Sequence, residues 1–401
     1  MKWTAVLAAQ LLLLTLIGSL VLGAVCVFMP RYSGVGGHSL ALDHSGNPAI
    51  AYHEISGRNL KYAHWDGKRW TFETVDRPGC VGLHPSLAFD TSGNPAISYS
   101  DITIGSNLKF AHRNGETWVV ETIDSGSCSS LAFDDSGNPA IAYFSSRETT
   151  SDNIELRCAR WNEAGWSLES VDSVGSVEGD ISMAFDTSGH PSITYVASRD
   201  LKIARWDGST WALETLVSAQ AGMDTSLAFD STGNPVIAHV LRSCSLKLAH
   251  WNGTNWEVGT VDNSSVCRGY TSLVFDGSGH PGISYCRGSS DVRFAGWNGT
   301  GWLLETVDTV GEVGDTSLAF DTKQCMRALT VAWLCTTRGS VWPPRMRHWT
   351  PLNYDPTSQH PTTSLSAFCQ PMGANPALTT HGADPTRLSM TRGDKIAEQL
   401  E

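Results

Sequence analysis

A short phrase, Ser-Leu-Ala-Phe-Asp or a close variant, recurs along most of this chain of 401 residues. The aspartates that end the phrase lie 44 to 52 residues apart and are Asp43, Asp90, Asp134, Asp186, Asp230, Asp276 and Asp321. A period in this range is typical of propellers, solenoids and arrays, in which each repeat is one supersecondary unit. The repeat therefore limits the fold to a small set before any single residue is considered.

Each repeat contains four short β-forming runs that are separated by turns. In the second repeat these runs are Leu87–Phe89, Ala96–Tyr99, Leu108–Ala111 and Trp118–Ile123. Asp-Thr-Ser-Gly-Asn-Pro joins the first two runs and Asn-Gly joins the last two, and both contain residues that turns favour. No repeat shows a sustained helical period.

The two faces of these runs indicate how the sheets pack. Leu227 and Phe229 point to one face and Ala228 to the other, because successive side chains alternate along a strand. Both faces are thus apolar, as in sheets that are stacked around an axis. The sequence predicts an all-β fold over residues 36–322, a β-propeller of four-stranded blades with six recognisable blades and the start of a seventh.

The pattern breaks at residue 323. Ser317 to Thr322 opens a seventh unit, and Lys323-Gln-Cys-Met-Arg then replaces the expected Ser-Gly-Asn-Pro. We predict an irregular or disordered tail over residues 323–401. One interpretation is a divergent final segment, and the other is a reading-frame error that replaced the true seventh blade. The break lies inside a strand–turn motif, whereas a linker would be expected to start at an exposed blade boundary. This position favours the second interpretation.

The amino terminus is a candidate targeting segment. Ala5 to Met29 is apolar almost throughout, and no charge lies between Lys2 and Arg31. The stretch exceeds the core of a secretory signal and is long enough to span a bilayer. Residues 1–30 are therefore predicted to be a signal peptide or an N-terminal membrane anchor. Residues 5–29 would hold a transmembrane helix if uncleaved, so the propeller is expected outside the cytoplasm, secreted or anchored to the membrane.

Ten cysteines fit an oxidising compartment. Five of them lie in or beside loops and are disulfide candidates: Cys80, Cys128, Cys244, Cys267 and Cys286. The sequence leaves their pairing open, and scattered thiols are the alternative. No C-x-x-C pattern is present. We predict no metal and no cofactor.

Charge and motifs exclude several functions. The net charge of −12 argues against nucleic acid as a partner, because nucleic acid requires a clustered basic surface. The chain has no H-E-x-x-H, no G-x-S-x-G and no phosphate-binding loop motif. No catalytic residues are predicted.

The repeated words Ser-Leu-Ala-Phe-Asp, Ser-Gly-Asn-Pro, Leu-Lys-x-Ala-x-Trp and Trp-Asn/Asp-Gly-x-x-Trp cover residues 39–322. They resemble those of exported prokaryotic β-propeller repeat proteins and, more loosely, seven-bladed propeller lectins and the Asp-box propellers of the sialidase superfamily. The resemblance implies a propeller and, through the lectins, Trp-lined pockets between blades. The expected function is a non-enzymatic binding or interaction module with an extracellular glycan or protein as ligand. The alternatives are a sialidase-like or other glycoside hydrolase, and a truncated inactive product.

Two recurring features have a structural and a functional interpretation. The Trp pairs Trp65/Trp70, Trp206/Trp211, Trp251/Trp256 and Trp297/Trp302 flank a hairpin reversal. Recurrence at one place in each repeat favours cross-strand packing over sugar-stacking platforms. The Asp-x-Ser-Gly-Asn turns favour an aspartate that caps its own turn over a calcium site, because calcium takes more oxygen ligands than these turns offer.

Loop variation gives the binding candidates. In a four-stranded meander the second loops and the links between blades share one face, and here they are the segments that vary in length. Variable loops on a rigid scaffold often carry binding residues. The second loops contain Arg58, Arg147, Arg199, Arg242 and Arg287. These arginines are candidates for an anion-binding mouth, and the alternative is ordinary solvated loop charge.

Overall fold

The computed structural model describes residues 37–352, except 55, 78, 147–153, 163, 265–269, 289–290, 310–311, 321–325 and 334–347. These residues belong to the first of two compact units, which ends at Gln359. The predicted targeting segment and the chain after residue 352 lie outside the described residues. Within the described residues, no helix is long and apolar enough to span a membrane.

The strands form seven sheets that follow one another along the chain. Blade one contains β1 (His38–Leu42), β2 (Pro48–Glu54), β3 (Asn59–Trp65) and β4 (Trp70–Asp76). Blade two contains β5 (Val81–Phe89), β6 (Pro95–Asp101), β7 (Asn107–Asn114) and β8 (Thr117–Ser125). Blade three contains β9 (Ser127–Phe133), β10 (Pro139–Ser146), β11 (Ile154–Asn162) and β12 (Gly165–Val174).

The later sheets repeat the arrangement. Blade four contains β13 (Val177–Phe185), β14 (Pro191–Ala197), β15 (Asp200–Trp206) and β16 (Trp211–Val217). Blade five contains β17 (Ala221–Phe229), β18 (Pro235–Leu241), β19 (Ser245–Trp251) and β20 (Trp256–Asp262). Blade six contains β21 (Thr271–Phe275), β22 (Pro281–Arg287), β23 (Asp291–Trp297) and β24 (Trp302–Asp308). The seventh sheet contains β25 (Glu312–Phe320), β26 (Met326–Trp333) and β27 (His348–Leu352).

Every sheet is an antiparallel meander in which each strand pairs with its neighbours in sequence. In blade two, for example, Leu87 pairs with Ile97, and Ile97 also pairs with Ala111. This confirms the predicted all-β propeller with six four-stranded blades. The seventh sheet includes β26 and β27, which are the described parts of the chain after residue 323, and the irregular tail over residues 323–401 stays a prediction.

The first strand of each blade is the inner one, and the inner strands pack side by side around the ring. The strand β25 contacts the inner strands of both blade six and blade one. The ring of described inner strands therefore has seven members, although only six blades have four strands. In this arrangement Leu318 and Phe320 cover a face of blade six, where they pack against Phe294 and Val274.

A repeated serine bond joins the blades. The Ser39 hydroxyl accepts the backbone N–H of Leu87 at 3.0 Å, one blade further along. The equivalent serine hydroxyl accepts the equivalent backbone N–H in the pairs Ser86–Leu131, Ser130–Met183, Ser182–Leu227, Ser226–Leu273 and Ser272–Leu318. The serine of the repeated phrase is thus a bridge between neighbouring inner strands.

Apolar side chains from two blades form each inter-blade core. Between blades one and two, Leu60 and Ala51 pack with Ile97 and Tyr99, all of which are fully buried. Burial of a large aliphatic side chain contributes about 1.5–3 kcal/mol. Large apolar side chains on the face of one blade therefore pack against small apolar side chains on the facing blade, as the alternation in the sequence predicts.

Candidate functional site

Two faces of the propeller differ in their backbone. On one face lie the first turns, between strands one and two of each blade, and the third turns, between strands three and four. Asp43 caps its first turn by accepting the N–H groups of Ser45 and Asn47 at 2.9 and 2.8 Å. The same cap recurs at Asp90, Asp134, Asp186, Asp230 and Asp276. The capping interpretation of these aspartates is confirmed.

The opposite face carries the second loops and the links. Backbone bonds connect them: the Arg58 carbonyl accepts from Val81 N, and the Arg199 carbonyl accepts from Ala221 N. Arg242 N likewise donates to the Gln220 carbonyl. The loops and links therefore share one face, as the meander predicts.

The predicted arginines lie in different blades. Arg147 lies outside the described residues. The Arg287 guanidinium donates to the Asp291 carboxylate of the same hairpin at 2.6 Å, so its charge is compensated locally. Arg58 and Arg199 have positive φ values of 55° and 68°, which places both at tight loop corners. The anion-binding mouth stays a prediction.

The five loop cysteines have different fates. Cys80 and Cys244 are disulfide-bonded. Cys128 and Cys286 carry thiols, so the disulfides considered for these two residues are not formed in this structure. Cys267 lies outside the described residues.

A buried polar node joins the outer parts of neighbouring blades. Tyrosine hydroxyls donate at 2.6–2.7 Å to an aspartate of the preceding blade, in the pairs Tyr99–Asp76, Tyr143–Asp124, Tyr195–Asp172 and Tyr285–Asp262. A cation of the third strand binds the same aspartate in each case, namely Lys109, Arg157, Lys202 and Arg293. All four tyrosines are fully buried, so the nodes are structural.

Blade five lacks this node. His239 replaces the tyrosine and Val217 replaces the aspartate. The His239 side chain is 1% exposed, and burial lowers its pKa to about 4. Both partners of the hydrogen bond have thus changed together at this one interface.

A cleft of about 290 Å³, here called cleft A, lies between blades one and two on the face of the first and third turns. Its polar lining consists of Asp43, Tyr62, His64, Glu73, Asn94 and Arg113. Phe89 and Pro95 of blade two supply an apolar wall. The volume is at the lower end of the range of about 300–1,000 Å³ that is usual for small-molecule sites.

An ion pair crosses the floor of cleft A. Arg113 Nη1 donates to both carboxylate oxygens of Glu73 at 2.7 and 2.9 Å. Trp118 Nε1 donates to the same carboxylate at 2.9 Å. Arg113 Nε donates to the Gly115 carbonyl, and Nη2 has no acceptor among the described residues. Glu73 of blade one therefore orients two side chains of blade two and leaves part of the guanidinium for a ligand.

A second pair lies at the edge of cleft A. His64 Nε2 is 2.9 Å from Asp43 Oδ2. Burial alone would raise the pKa of Asp43, but hydrogen bonds from the Asn47 and Ser45 backbone and from the His64 and Asn47 side chains lower it. Asp43 is therefore an ionised acceptor at neutral pH.

Tyr62 carries the unusual group of this cleft. Its side chain is 3% exposed, and its hydroxyl has no hydrogen-bond partner among the described residues. Burial raises its pKa, and the charges of Arg113, Glu73 and Asp43 act on the hydroxyl. A ligand hydroxyl in cleft A would supply that partner.

The Trp pairs belong to a different kind of arrangement. The ring centroids of Trp206 and Trp211 are 5.5 Å apart across the hairpin, and the pairs in the other blades are similar. Arg160 of blade three covers the Trp206 ring at 4.4 Å. Cross-strand packing is confirmed for these pairs. A second cleft, cleft B, lies beside them between blades three and four and is lined by Glu169, Trp206 and Trp211.

Sequence reasoning did not identify the residues of cleft A. A signal was present in the departures from the repeat. Tyr62 occupies a position that is held elsewhere by Phe110, Cys158, Ile203, Leu248 and Phe294, so it alone brings a hydroxyl. Arg113 stands where most blades have the first Trp of the pair.

No protein-family model and no curated protein matches the chain. Among solved structures, a fungal lectin from Aleuria aurantia with a six-bladed β-propeller fold and fucose recognition is 16% identical, with a TM-score of 0.50. The match covers 69% of this chain and 96% of the lectin. An ulvan lyase, which is a polysaccharide lyase, is 12% identical with a TM-score of 0.52, over 72% of this chain and 88% of the lyase.

At these identities the likeness establishes the fold alone. It confirms the propeller part of the resemblance read from the repeats, with a six-bladed lectin as a neighbour where the sequence suggested seven-bladed ones. Membership of the exported prokaryotic group stays a prediction.

Proposed function

We propose that this protein is a lectin-like binding module that takes one neutral sugar residue of a glycan into cleft A. The observation that carries the proposal is the partnerless Tyr62 hydroxyl, which lies beside the carboxylates of Asp43 and Glu73. Small-molecule sites usually combine apolar walls with a small number of convergent polar groups, and cleft A has this arrangement.

The lining of cleft A suits sugar hydroxyls, which both donate and accept hydrogen bonds. The Glu73 carboxylate accepts three hydrogen bonds within the protein and has one acceptor site left, and the Arg113 guanidinium donates through Nη2. Hydrogen bonds to charged groups are shorter and stronger than neutral ones. Phe89 and Pro95 offer apolar surface to the C–H groups of a sugar ring.

The charges favour a neutral sugar over an acidic one. The Arg113 charge is already matched by Glu73, and Asp43 adds a second carboxylate. An acidic sugar would therefore meet net negative charge in cleft A. The fucose recognised by the Aleuria aurantia lectin is a neutral sugar, and methyl fucoside is a sensible member of a test panel.

Binding is a better account of cleft A than catalysis. Tyr62 is a poor general base, because burial raises its pKa. Glu73 is held by Arg113 and Trp118, so it is not available to transfer protons. A glycosidase or lyase reaction is tested separately, by incubation of the protein with a glycan.

The proposed module acts outside the cytoplasm. The disulfides of Cys80 and Cys244 support this location, because disulfides persist in oxidising compartments. The apolar stretch of residues 5–29 supports it independently. A glycan of a cell surface or an extracellular matrix is then an accessible partner.

The test is calorimetric titration of the full-length protein with methyl glycosides of neutral sugars, including fucose, and with methyl glucuronide. Tyr62→Phe removes only the hydroxyl. Phe110 occupies the corresponding place in blade two, and its ring meets Trp166 at 5.2 Å, just as Tyr62 meets Trp118 at 5.2 Å. The variant should therefore fold normally and lose about tenfold in affinity, the worth of roughly 1.4 kcal/mol.

Tyr99→Phe is the matched control, because it removes a hydroxyl that is bonded to Asp76 away from cleft A. It should lower stability and leave affinity unchanged. The proposal would be abandoned if no neutral glycoside binds, or if both variants lose affinity equally. Formation of reducing ends or unsaturated products from a glycan would support the enzyme alternative.

A further inference from the structure

Three side chains with metal-binding chemistry lie together at the inner strands of blades two, three and four. They are His84 of β5, Cys128 of β9 and Asp180 of β13. One donor atom from each lies within 4.8 Å of the other two. His84 Nδ1 is 4.0 Å from Asp180 Oδ1. None of these three residues lines cleft A.

The repeat places these residues in register around the ring. Each stands two residues before a bridging serine, and those serines are Ser86, Ser130 and Ser182. Because the serine bonds fix neighbouring inner strands to one another, the three positions lie at one level. The cluster is therefore a product of the propeller symmetry and of three substitutions at equivalent sites.

Local backbone geometry turns two of the side chains out of the regular pleat. His84 and Cys128 have positive φ values of 48° and 54°, which are uncommon for residues other than glycine. The pairing register shifts between Leu83 and Ser86 in blade two, and between Ala142 and Phe144 in blade three. Such bulges redirect a side chain.

The neighbouring blade does not extend the cluster. Asp224 holds the equivalent position in blade five and is buried. Its carboxylate accepts the backbone N–H groups of Thr225 and Thr271 at 2.8 and 2.5 Å, so it serves as a backbone clamp. The donor set is thus one imidazole, one thiol and one carboxylate.

We propose that His84, Cys128 and Asp180 bind one Zn²⁺ ion that links blades two, three and four. Zinc accepts nitrogen, sulfur and oxygen ligands together, whereas calcium and magnesium take oxygen alone. Zinc bonds of about 2.0–2.3 Å in a tetrahedron separate the ligands by about 3.3–3.8 Å. The three donors need to approach by about an ångström to meet this spacing.

Two of the ligands are able to make that adjustment. The side chains of His84 and Asp180 are 31% and 45% exposed, so they have room to rotate and an ion reaches them from solvent. The thiolate is the form of cysteine that ligates a metal, so zinc binding releases the Cys128 thiol proton to solvent. Three protein ligands leave the fourth position for water or an external ligand.

The experiment is titration of the metal-free full-length protein with ZnCl₂ in a calorimeter and with CoCl₂ in an absorption spectrometer. Cobalt reports a thiolate ligand through its charge-transfer band. Wild type should bind one zinc ion in this site and show the band. Cys128→Ser should abolish the band, and Cys286→Ala is the control, because Cys286 is a buried thiol of β22 in blade six.

His84→Ala gives a second test that leaves the thiol in place. It should weaken zinc binding at least tenfold, and the melting temperature of the metal-free variant shows whether it folds. Added zinc should raise the melting temperature of wild type and of Cys286→Ala, but not that of Cys128→Ser. The proposal is overturned if wild type shows no thiolate band, or if the band survives in Cys128→Ser, which would place cobalt on other thiols.

Discussion

Arg113 Nη1 donates to both carboxylate oxygens of Glu73, at 2.7 and 2.9 Å. This ion pair joins the third strand of blade two to the fourth strand of blade one. The pair also forms the floor of cleft A. One contact therefore supports both the ring and the proposed sugar site.

Replacement of Glu73 by Ala should destabilise the protein by about 1–2 kcal/mol, because Arg113 and Trp118 both lose their acceptor. The expected loss lies at the lower end of the range for hydrogen bonds to charged groups, because the Arg113 and Glu73 side chains are 24% and 31% exposed. Urea unfolding measures the change. Glu116→Ala, at the exposed third turn of blade two, should change stability by less than about 0.5 kcal/mol. Equal effects of the two variants would contradict the assigned role of Glu73.

Blade five offers a test of the tyrosine–aspartate node. His239→Tyr places a buried hydroxyl without an acceptor, and Val217→Asp places a carboxylate without a donor. We expect each single variant to be less stable than wild type. The double variant should recover about 1–2 kcal/mol relative to the sum of the two, because the new pair forms the bond seen between Tyr195 and Asp172. A double-mutant cycle with no coupling would show that the node contributes nothing to the inter-blade contact.

Stability should fall as the pH decreases from about 6.5 to about 4. The pKa of His239 is about 4 in the folded protein, where burial opposes protonation, and about 6.5 in the unfolded chain. Above pH 6.5 both states are neutral at this group, so stability is full. Below it the unfolded state binds the proton first, and the loss from His239 reaches about 3 kcal/mol near pH 4.

Burial likewise lowers the pKa of His38 to about 4 and lowers the pKa of His53, so both contribute in the same direction. The variant His239→Leu should lose part of this pH dependence when urea unfolding is compared at about pH 7 and about pH 4.5. An unchanged slope in that variant would mean that His239 is protonated as easily in the folded state as in the unfolded one.

The Trp206 side chain should matter less for stability than a core tryptophan. Truncation of a buried tryptophan costs about 3–5 kcal/mol. Trp206 is half-buried, with Arg160 on one face and Trp211 at the edge, so we expect Trp206→Ala to cost about 1–3 kcal/mol. Ile193→Ala, in the fully buried core of blade four, is the comparison and should cost more. A reversed order would mean that the hairpin and not the core dominates stability.

Export is tested by fractionation of a bacterial host that expresses the full-length chain. We expect the protein in membrane or external fractions, because residues 5–29 are apolar and uncharged. A variant without residues 2–30 should remain in the cytoplasm. Full-length protein in the soluble cytoplasmic fraction would contradict the predicted targeting segment.

The functional residues were harder to predict than the fold. Loop variation predicts Arg58, Arg147, Arg199, Arg242 and Arg287 as binding residues, and this stays a prediction. The structure adds that Arg287 is paired with Asp291 within its own hairpin. Tyr62, Glu73 and Arg113 lie in regular strands and turns, where repeat positions suggested packing. These side chains come together only when strand four of blade one packs against strand three of blade two. Arg113 and Glu73, for example, are 40 residues apart in the sequence.

The sequence by itself determined the repeating unit. Alternation of large and small apolar residues, with Asp-x-Ser-Gly-Asn and Asn-Gly turns, is local information, and it specified four strands per blade and the capped first turns of Asp43 and its equivalents. Tertiary structure alone decided which departures from the repeat come together. His84, Cys128 and Asp180 belong to three different repeats, and they form a cluster only because the serine bonds hold three inner strands at one level. Contacts between blades depend on residues about one repeat apart, and periodicity along the chain does not encode which side chains meet across that distance.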